Sequence, residues 1–249
     1  MPRFFVFREF SLNEEFIMSG EDAHHIIKVL RHRTGDTIKL SNGKNIESIG
    51  VILDVNPKAT EIKLKILEKN IVQGTKPIIS LFQGLPKKDK FEWIIQKNTE
   101  IGVSSITPVL TKRTIVDIDK AKINRRKERW CKIAKEAAKQ CMRMDIPEIA
   151  HVTTFESSLK MIKNNQLSII PWEQEKGVPL KKVIMDLPRG ITTIAVYIGP
   201  EGGFTEEEVE NAKKEGAIPV SLGPRILRTE TAGLVTCSLI MYELGNLGG

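Results

Sequence analysis

Five short apolar runs, 77–82, 105–110, 167–171, 193–198 and 218–222, alternate with five helical stretches, 89–101, 122–142, 155–164, 205–216 and 230–244. Few folds accept that alternation. Parallel strands need long crossovers, and a helix is the crossover that packs back onto the sheet. The pattern therefore predicts an α/β unit with a parallel sheet. Asp89 near the start of the first helix and Gly102 just past its end fit the usual start and stop signals. In an open sheet of this kind ligands sit beyond the carboxyl ends of the strands. The chemistry is therefore expected at 198–204 and 222–231.

The first 70 residues follow another rule. In TEIKLKILEK, 60–69, Ile62, Leu64 and Ile66 alternate with Lys63 and Lys65, the period of a half-buried strand. Asn42-Gly43 between two strand-like runs signals a hairpin. One helical segment, EDAHHIIKVLRHR at 21–33, sets Ile26, Val29 and Leu30 on one face. These elements predict a small β-barrel with one inserted helix over 1–70. KNIVQGTKP, 69–77, reads as a linker, with Gly74 and Pro77 as breakers, and 71–249 as the α/β domain.

With 41% hydrophobic residues in 249, the chain can bury a sizeable core, and no 18-residue apolar run suggests a membrane span. MPRFFVFREF lacks a signal-peptide pattern. Cys131, Cys141 and Cys237 are scattered, with no spacing for zinc or a disulfide framework. Reduced thiols in the cytoplasm, and no metal, are expected. Net charge is +7 and unevenly spread: 1–70 hold 11 Lys and Arg against 10 Asp and Glu, whereas 84–143 hold 16 against 7. Such a surplus suits a polyanionic partner, most simply nucleic acid, and equally a solvated helix face.

AVYIGPEGGFTEEEVE, 195–210, runs from strand through a glycine loop into a helix, the layout that usually holds phosphate. It matches neither common phosphate-loop pattern, and Glu201 inside the cradle would repel an anion. The loop suits a neutral or cationic ligand approached closely by backbone; an adenosine bearing a sulfonium, S-adenosylmethionine, fits. Thr205 and Glu208 form a capping box and the acids favour a helix N-terminus, which explains 205–208 but not the cluster Gly199-Pro200-Glu201-Gly202-Gly203. SLGPRILRTETAGLVT, 221–236, has the opposite sign, with Arg225 and Arg228 ahead of a helix starting at Thr229 or Thr231. Arginines there suit a negative group, unless they are solvated or pair with Glu230 or Glu201.

IGPEGGFTEEE followed by LGPRILRTETA resembles the paired C-terminal motifs of the RsmE family, the 16S ribosomal RNA uracil-N3 methyltransferases of the SPOUT superfamily. RFFV, HHIIKVLRHRTGD (24–36), KKDKFEWIIQKNTEIGVSSITPVLTKR (87–113) and IAKEAAKQCMRMDIPEI (133–149) extend the likeness to nearly the whole chain. The resemblance implies an N-terminal PUA-like RNA-binding β-barrel, a C-terminal SPOUT domain with a trefoil knot, a homodimer, and 16S rRNA, within the small ribosomal subunit, as partner. One departure is visible: where the family has something close to EQSGR, this chain has Lys139-Gln140-Cys141-Met142-Arg143.

The implied reaction moves a methyl group from S-adenosylmethionine to N3 of a uridine. Arg228 is the expected stabiliser of charge on the base, with Glu230 and Glu201 as candidate proton acceptors, though Glu230 alternatively orients Arg228. Gly199, Gly203 and Gly223 would let backbone approach the cofactor, and Ile198, Leu222, Ile226 and Leu227 would wall it. Pro171, Pro200, Glu201, Gly202 and Thr231 complete the expected cofactor set. Expected RNA contacts are Arg3, Arg8, His24, His25, Arg31, Lys87, Lys90, Lys97, Arg113 and Arg143, with Lys97 alternatively paired to Glu100 or Glu92. Phe91, Trp93 and Trp130 read as packed rather than base-stacking, and Met142 and Met144 as filler. Rival readings are a ribose 2′-hydroxyl methyltransferase, a non-catalytic RNA-binding factor and, disfavoured by the missing phosphate-loop lysine, a nucleotide-phosphate enzyme.

Overall fold

The computed structural model describes residues 3–72, 77–115, 120–188, 190–245 and 247. Contacts divide the chain into two compact units, Met1–Gly74 with Ala138–Ile146, and Thr75–Ala137 with Pro147–Gly249.

The first unit contains β1 (Arg3–Phe5), β2 (Glu15–Ser19), α1 (Glu21–His24), β3 (Thr37–Ser41), β4 (Ile46–Asn56) and β5 (Glu61–Ile71). They form a curled five-stranded sheet in the order β1-β3-β4-β5-β2, antiparallel except for β1 against β3. The period-two reading of β5 holds: Ile62, Leu64 and Ile66 are fully buried beside Phe10, Ile38, Leu40 and Ile52. Outside, Lys63 meets Glu15 across the strands at 2.9 Å. The Asn42-Gly43 hairpin also forms. Its turn is held by Asn42, whose Oδ1 accepts the backbone N–H of Lys44, Asn45 and Ile46, while Gly43 takes φ 77°.

Two expectations for this unit need correction. The helix predicted over 21–33 is α1 followed by a π-helical turn, His25–Val29, and it ends before Arg31, which sits at φ 56°. The wider turn rotates the apolar stripe, so Ile26 is buried but Val29 is 60% exposed. The predicted linker starts too early: β5 runs through 69–71, because Ile71, Asn70 and Lys69 still pair with Ile46, Glu47 and Ser48. Residues 73–76 of that linker lie outside the described residues.

The segment 138–146 joins this unit through specific bonds. Ser41 Oγ donates to the Met144 carbonyl at 2.6 Å, Gly43 bridges Asp145, and Lys139 Nζ meets Asp22 at 2.7 Å. Thus the lysine standing where the resemblance leads one to expect an acid has an acidic partner of its own. Met142, standing where a glycine is expected, adopts φ 60° and exposes its side chain. Glycine takes that conformation freely, whereas an L side chain there costs about 1–2 kcal/mol.

The second unit contains β6 (Ile78–Gly84), α2 (Lys90–Glu100), β7 (Ser105–Leu110), α3 (Lys120–Gln140, its last turn counted with the first unit), β8 (Glu148–Ile149), β9 (Thr153–Thr154) and α4 (Phe155–Leu159). It continues with β10 (Leu167–Pro171), α5 (Leu180–Met185), β11 (Thr193–Ile198), α6 (Glu206–Lys214), β12 (Ile218–Val220) and α7 (Thr229–Glu243). All pairings are parallel, in the order β12-β10-β11-β6-β7-β8, with β9 further along β7. The helix predicted at 155–164 divides into α4 and a 3₁₀ turn, Ile162–Asn164. The short elements β8, β9 and α5 carry no periodic signal.

One face of the sheet buries Phe82 stacked on Tyr197 at 4.5 Å, with Phe155 and Phe204 beside them. The Tyr197 hydroxyl donates to the Ser158 carbonyl at 2.9 Å, and burial pushes its pKa well up. Phe91 packs on Trp130 at 4.5 Å as expected, but Trp93 is 40% exposed and packs only in part. The helix α7 packs on β6 and β11 and against α2, coming closest to the sheet at Gly233, where a Cβ would meet Gln83 Oε1 at 3.2 Å.

Candidate active site

Strands β10, β11 and β12 end at one edge of the sheet, and the loops that follow them enclose a cavity of about 850 Å³. The strands β11 and β12 are not neighbours, because β10 lies between them. A third loop, from Pro171 to Lys176, therefore enters the wall, bringing Trp172, Glu173 and Glu175. The rule that ligands sit beyond strand ends applied to β10 too, and only Pro171 had been placed there. Of the residues expected to hold the cofactor, all line the cavity except Thr231. Thr231 instead donates its N–H to the Arg228 carbonyl in the first turn of α7.

The loop after β11 is fastened at every step. Gly84 runs so close beneath it that a Cβ there would lie 2.5 Å from Pro200 N and 2.8 Å from the Gly199 carbonyl carbon. Only glycine permits that approach. Gly203 sits at φ 67° and donates its N–H to Pro200. Arg113 Nη1 donates to the Gly202 carbonyl at 2.6 Å. Thr229 Oγ1 donates to the Gly199 carbonyl at 2.5 Å and accepts from Gln83 Nε2 at 2.8 Å. The capping box forms as read from sequence, and Glu208 also accepts the N–H of Lys112. Gln83 and Thr229 were missed because both are ordinary polar residues within or beside apolar runs.

Glu201 is not free to face a cationic ligand. Its carboxylate accepts the N–H of Lys87 at 3.2 Å and Lys90 Nζ at 2.9 Å. Burial raises its pKa, but Lys90 and the backbone N–H groups of Glu201 and Lys87 outweigh that and hold it below the ordinary value. Lys90 lies also 3.7 Å from Glu230 Oε2, a buried oxygen with no hydrogen-bond partner among the described residues. One lysine thus stands between two cavity acids, hydrogen-bonded to Glu201 and farther from Glu230, and its single charge offsets only one of the two.

The loop after β12 is its opposite. Arg225, Ile226 and Arg228 are exposed, Ile226 by 86%. Among the described residues no hydrogen bond or ion pair holds either guanidinium, so neither Glu201 nor Glu230 is bonded to Arg225 or Arg228. The mouth of the cavity therefore keeps two uncompensated positive charges on a loop whose backbone is fixed by β12 and the start of α7.

Residues 75–241 match the RNA methyltransferase domain family, and 19–65 the RNA methyltransferase PUA domain family. The chain is 35% identical over 239 residues to ribosomal RNA small subunit methyltransferase E of Bacillus subtilis, covering 94% of this chain and 92% of that one. The chain belongs to the ribosomal RNA small subunit methyltransferase E family. A second member, from Buchnera aphidicola subsp. Acyrthosiphon pisum, is 32% identical over 99% of this chain and 95% of its own. The crystal structure of ribosomal RNA small subunit methyltransferase E from Neisseria gonorrhoeae bound to S-adenosyl methionine is similar with a TM-score of 0.84, at 29% identity over 97% of each chain. The cofactor of the family is thus S-adenosylmethionine, and the glycine-lined cavity has the size, the backbone access and the apolar walls of Ile198, Leu222 and Leu227 to take it.

The expected RNA contacts separate by partner. In the first unit Arg3 pairs with Glu47 and donates to the Met142 carbonyl, Arg8 pairs with Glu14 and lies 5.0 Å over the Phe16 ring, and Arg143 meets Asp145 at 2.6 Å. His24, His25 and Arg31 are exposed, with His25 6.2 Å from the Phe4 ring. In the second unit Lys97 meets Glu100 at 2.8 Å, Arg113 fastens Gly202, and Lys90 lines the cavity, while the Lys87 side chain is exposed. Among the described residues no cluster of His, Cys, Asp and Glu is placed to hold a metal ion. No described helix is long and apolar enough to cross a membrane.

Proposed function

We propose that this chain transfers the methyl group of S-adenosylmethionine to N3 of a uridine in 16S rRNA of the small ribosomal subunit, in the cytoplasm. The observation that carries this reading is the pairing of a fastened glycine loop with an adjacent loop whose Arg228 and Arg225 have no partner. Uridine N3 carries a proton at neutral pH and must lose it to attack. As the N3–carbon bond forms, the carbon–sulfur bond breaks, its electron pair stays on sulfur, and the cofactor leaves as a neutral thioether. Negative charge spreads over O2, N3 and O4, and the guanidinium of Arg228 is the group placed to hold it. Glu230, whose buried Oε2 accepts no hydrogen bond among the described residues and lies 3.7 Å from Lys90, is the better proton acceptor of the two candidates, because Glu201 is already hydrogen-bonded to Lys87 and Lys90. Such a base contributes about 10²–10⁴-fold.

We assign the first unit, 1–74 with 138–146, to the PUA-like RNA-binding domain and 75–137 with 147–249 to the methyltransferase domain, which moves the expected boundary at 70/71 past the end of β5. His24, His25, Arg31 and Lys87 are the expected RNA contacts that have no charged partner among the described residues; Arg3, Arg8, Lys97, Arg113 and Arg143 serve structure first. The helix α7 is apolar on average with no separate polar face, and it exposes Leu239 and Tyr242, which favours it as the homodimer face. The deciding experiment is mass spectrometry of nucleosides from 16S rRNA of a deletion strain, with and without this chain restored. Appearance of 3-methyluridine on restoration is the expected result; a 2′-O-methylated nucleoside, or none, rejects the assignment.

A further inference from the structure

Four carboxylates line the cavity, and three of them are already occupied. Glu175 Oε1 accepts the N–H of Gly177 at 2.7 Å and of Val178 at 3.1 Å, which closes its own turn. Glu201 holds Lys87 N and Lys90 Nζ. Glu230 shares Lys90 at 3.7 Å. Glu173 is left. Among the described residues no hydrogen bond or ion pair reaches its carboxylate, and it is exposed into the open cavity. It lies beside the glycine loop: its Oε1 is 2.8 Å from where a Cβ on Gly203 would stand. The third loop thus sets a bare negative charge beside the glycine cradle, in the wall of the cavity the cradle lines.

We propose that Glu173 recognises the sulfonium charge of S-adenosylmethionine and so distinguishes the methyl donor from its neutral thioether product. The proposal rests on the reading of this cavity as the cofactor site. Donor and product share adenine, ribose, ammonium and carboxylate; they differ by one methyl group and one positive charge. A carboxylate near sulfur in a cavity partly shielded from water favours the charged ligand and is indifferent to the uncharged one. It also helps the product leave. During transfer the sulfonium charge fades as the electron pair returns to sulfur, so Glu173 binds the ground state more than the transition state. Its removal therefore raises KM for the donor without lowering kcat.

The test is isothermal titration of wild type and Glu173→Gln with S-adenosylmethionine and, separately, with S-adenosylhomocysteine, beside steady-state kinetics on 16S rRNA. Donor affinity should fall on the order of tenfold, in line with loss of one charge-assisted contact. Product affinity should stay within about twofold, kcat should not fall, and the melting temperature should hold, since the Glu173 carboxylate makes no bond to the described residues. The comparison variant Glu201→Gln should weaken both ligands alike, because it loosens the loop rather than removing a charge from the ligand's reach. Equal losses for donor and product in Glu173→Gln overturn the proposal, since they place the carboxylate on a shared group. Unchanged donor affinity, or a fall in kcat with KM constant, overturns it as well. Failure of wild type to bind the donor at all sinks the cofactor reading itself and is seen before any variant is measured.

Discussion

The loops after β11 and β12 share one cavity, one Gly-Pro pair and one place at a strand end, yet they are built in opposite ways. In the first, the carbonyls of Gly199 and Gly202, the N–H of Gly203 and the Glu201 carboxylate all have partners, and Gly84 presses on the backbone from below. In the second, two arginines and an isoleucine are exposed, and neither guanidinium has a partner among the described residues. The difference separates two tasks. A cofactor site gains from groups that need no rearrangement when the ligand arrives. A site for a large polyanion instead needs charges that no internal carboxylate has claimed. Lys90 belongs to the fastened side of this division: it meets Glu201 and lies 3.7 Å from Glu230, while neither acid is bonded to Arg228 among the described residues.

The largest effect that tests this division is at Arg228. Replacement by alanine should lower kcat about 10²–10³-fold, the usual loss when one donor to a developing anion goes. Donor affinity should stay within about twofold, because Arg228 is no part of the fastened loop. Turnover near wild type would leave the second loop's bare charges without the task given to them. Next comes Gly84→Ala, which drives a methyl into the backbone of Pro200 and Gly199. It should cost stability near the upper end of about 1–3 kcal/mol in urea unfolding and weaken donor binding. Thr229→Val should follow, at about 1–2 kcal/mol, since Gln83 loses a buried acceptor and the Gly199 carbonyl its donor. Ile226→Ala on the free loop, by contrast, should stay within about 0.5 kcal/mol.

The strands and helices around this cavity were legible wherever one period persisted. The run 193–198 matches β11 to the residue, and the capping box at Thr205 is a local signal that needs no tertiary context. The π-helical turn after α1 was not legible, because its apolar spacing fits an ordinary helix equally well. Nor was the insertion of β10 between β11 and β12, which depends on how crossovers are routed rather than on any residue pattern. That routing hid Glu173, whose chemistry follows from its position beside Gly203 and not from its neighbours in sequence. Charge was read correctly as a sign and wrongly as a vacancy. Glu201 is an acid inside a cradle, as the sequence states, but its partners Lys87 and Lys90 stand over a hundred positions away in the chain. Long-range pairing of that kind also commits Arg3, through Glu47 and the Met142 carbonyl, whereas Arg8 and Arg143, equally plausible RNA contacts by type, are taken by acids close by in sequence, Glu14 and Asp145.

The smallest expected effect sharpens the comparison through pH. In Lys90→Met the fastened loop loses its ion pair but keeps the Lys87 N–H and the Arg113 and Thr229 contacts. Both partners are about one-third exposed, Lys90 by 35% and Glu201 by 33%, so the pair contributes only about 0.2–1 kcal/mol at neutral pH. Its pH dependence has a definite sign. The Glu201 pKa is held below the ordinary 4.5, with Lys90 acting against burial. A depressed carboxylate adds stability above its unfolded value, and that stability disappears as pH falls through the folded value. Removing Lys90 leaves burial less opposed, so the folded pKa rises and the contribution shrinks. Wild type and variant should therefore differ in melting temperature at pH 7, converge across the interval just below 4.5, and coincide once Glu201 is protonated in both. A gap of constant size across that interval would mean that Lys90 supports the loop by packing its stem, and the electrostatic half of the contrast between the two loops would fail with it.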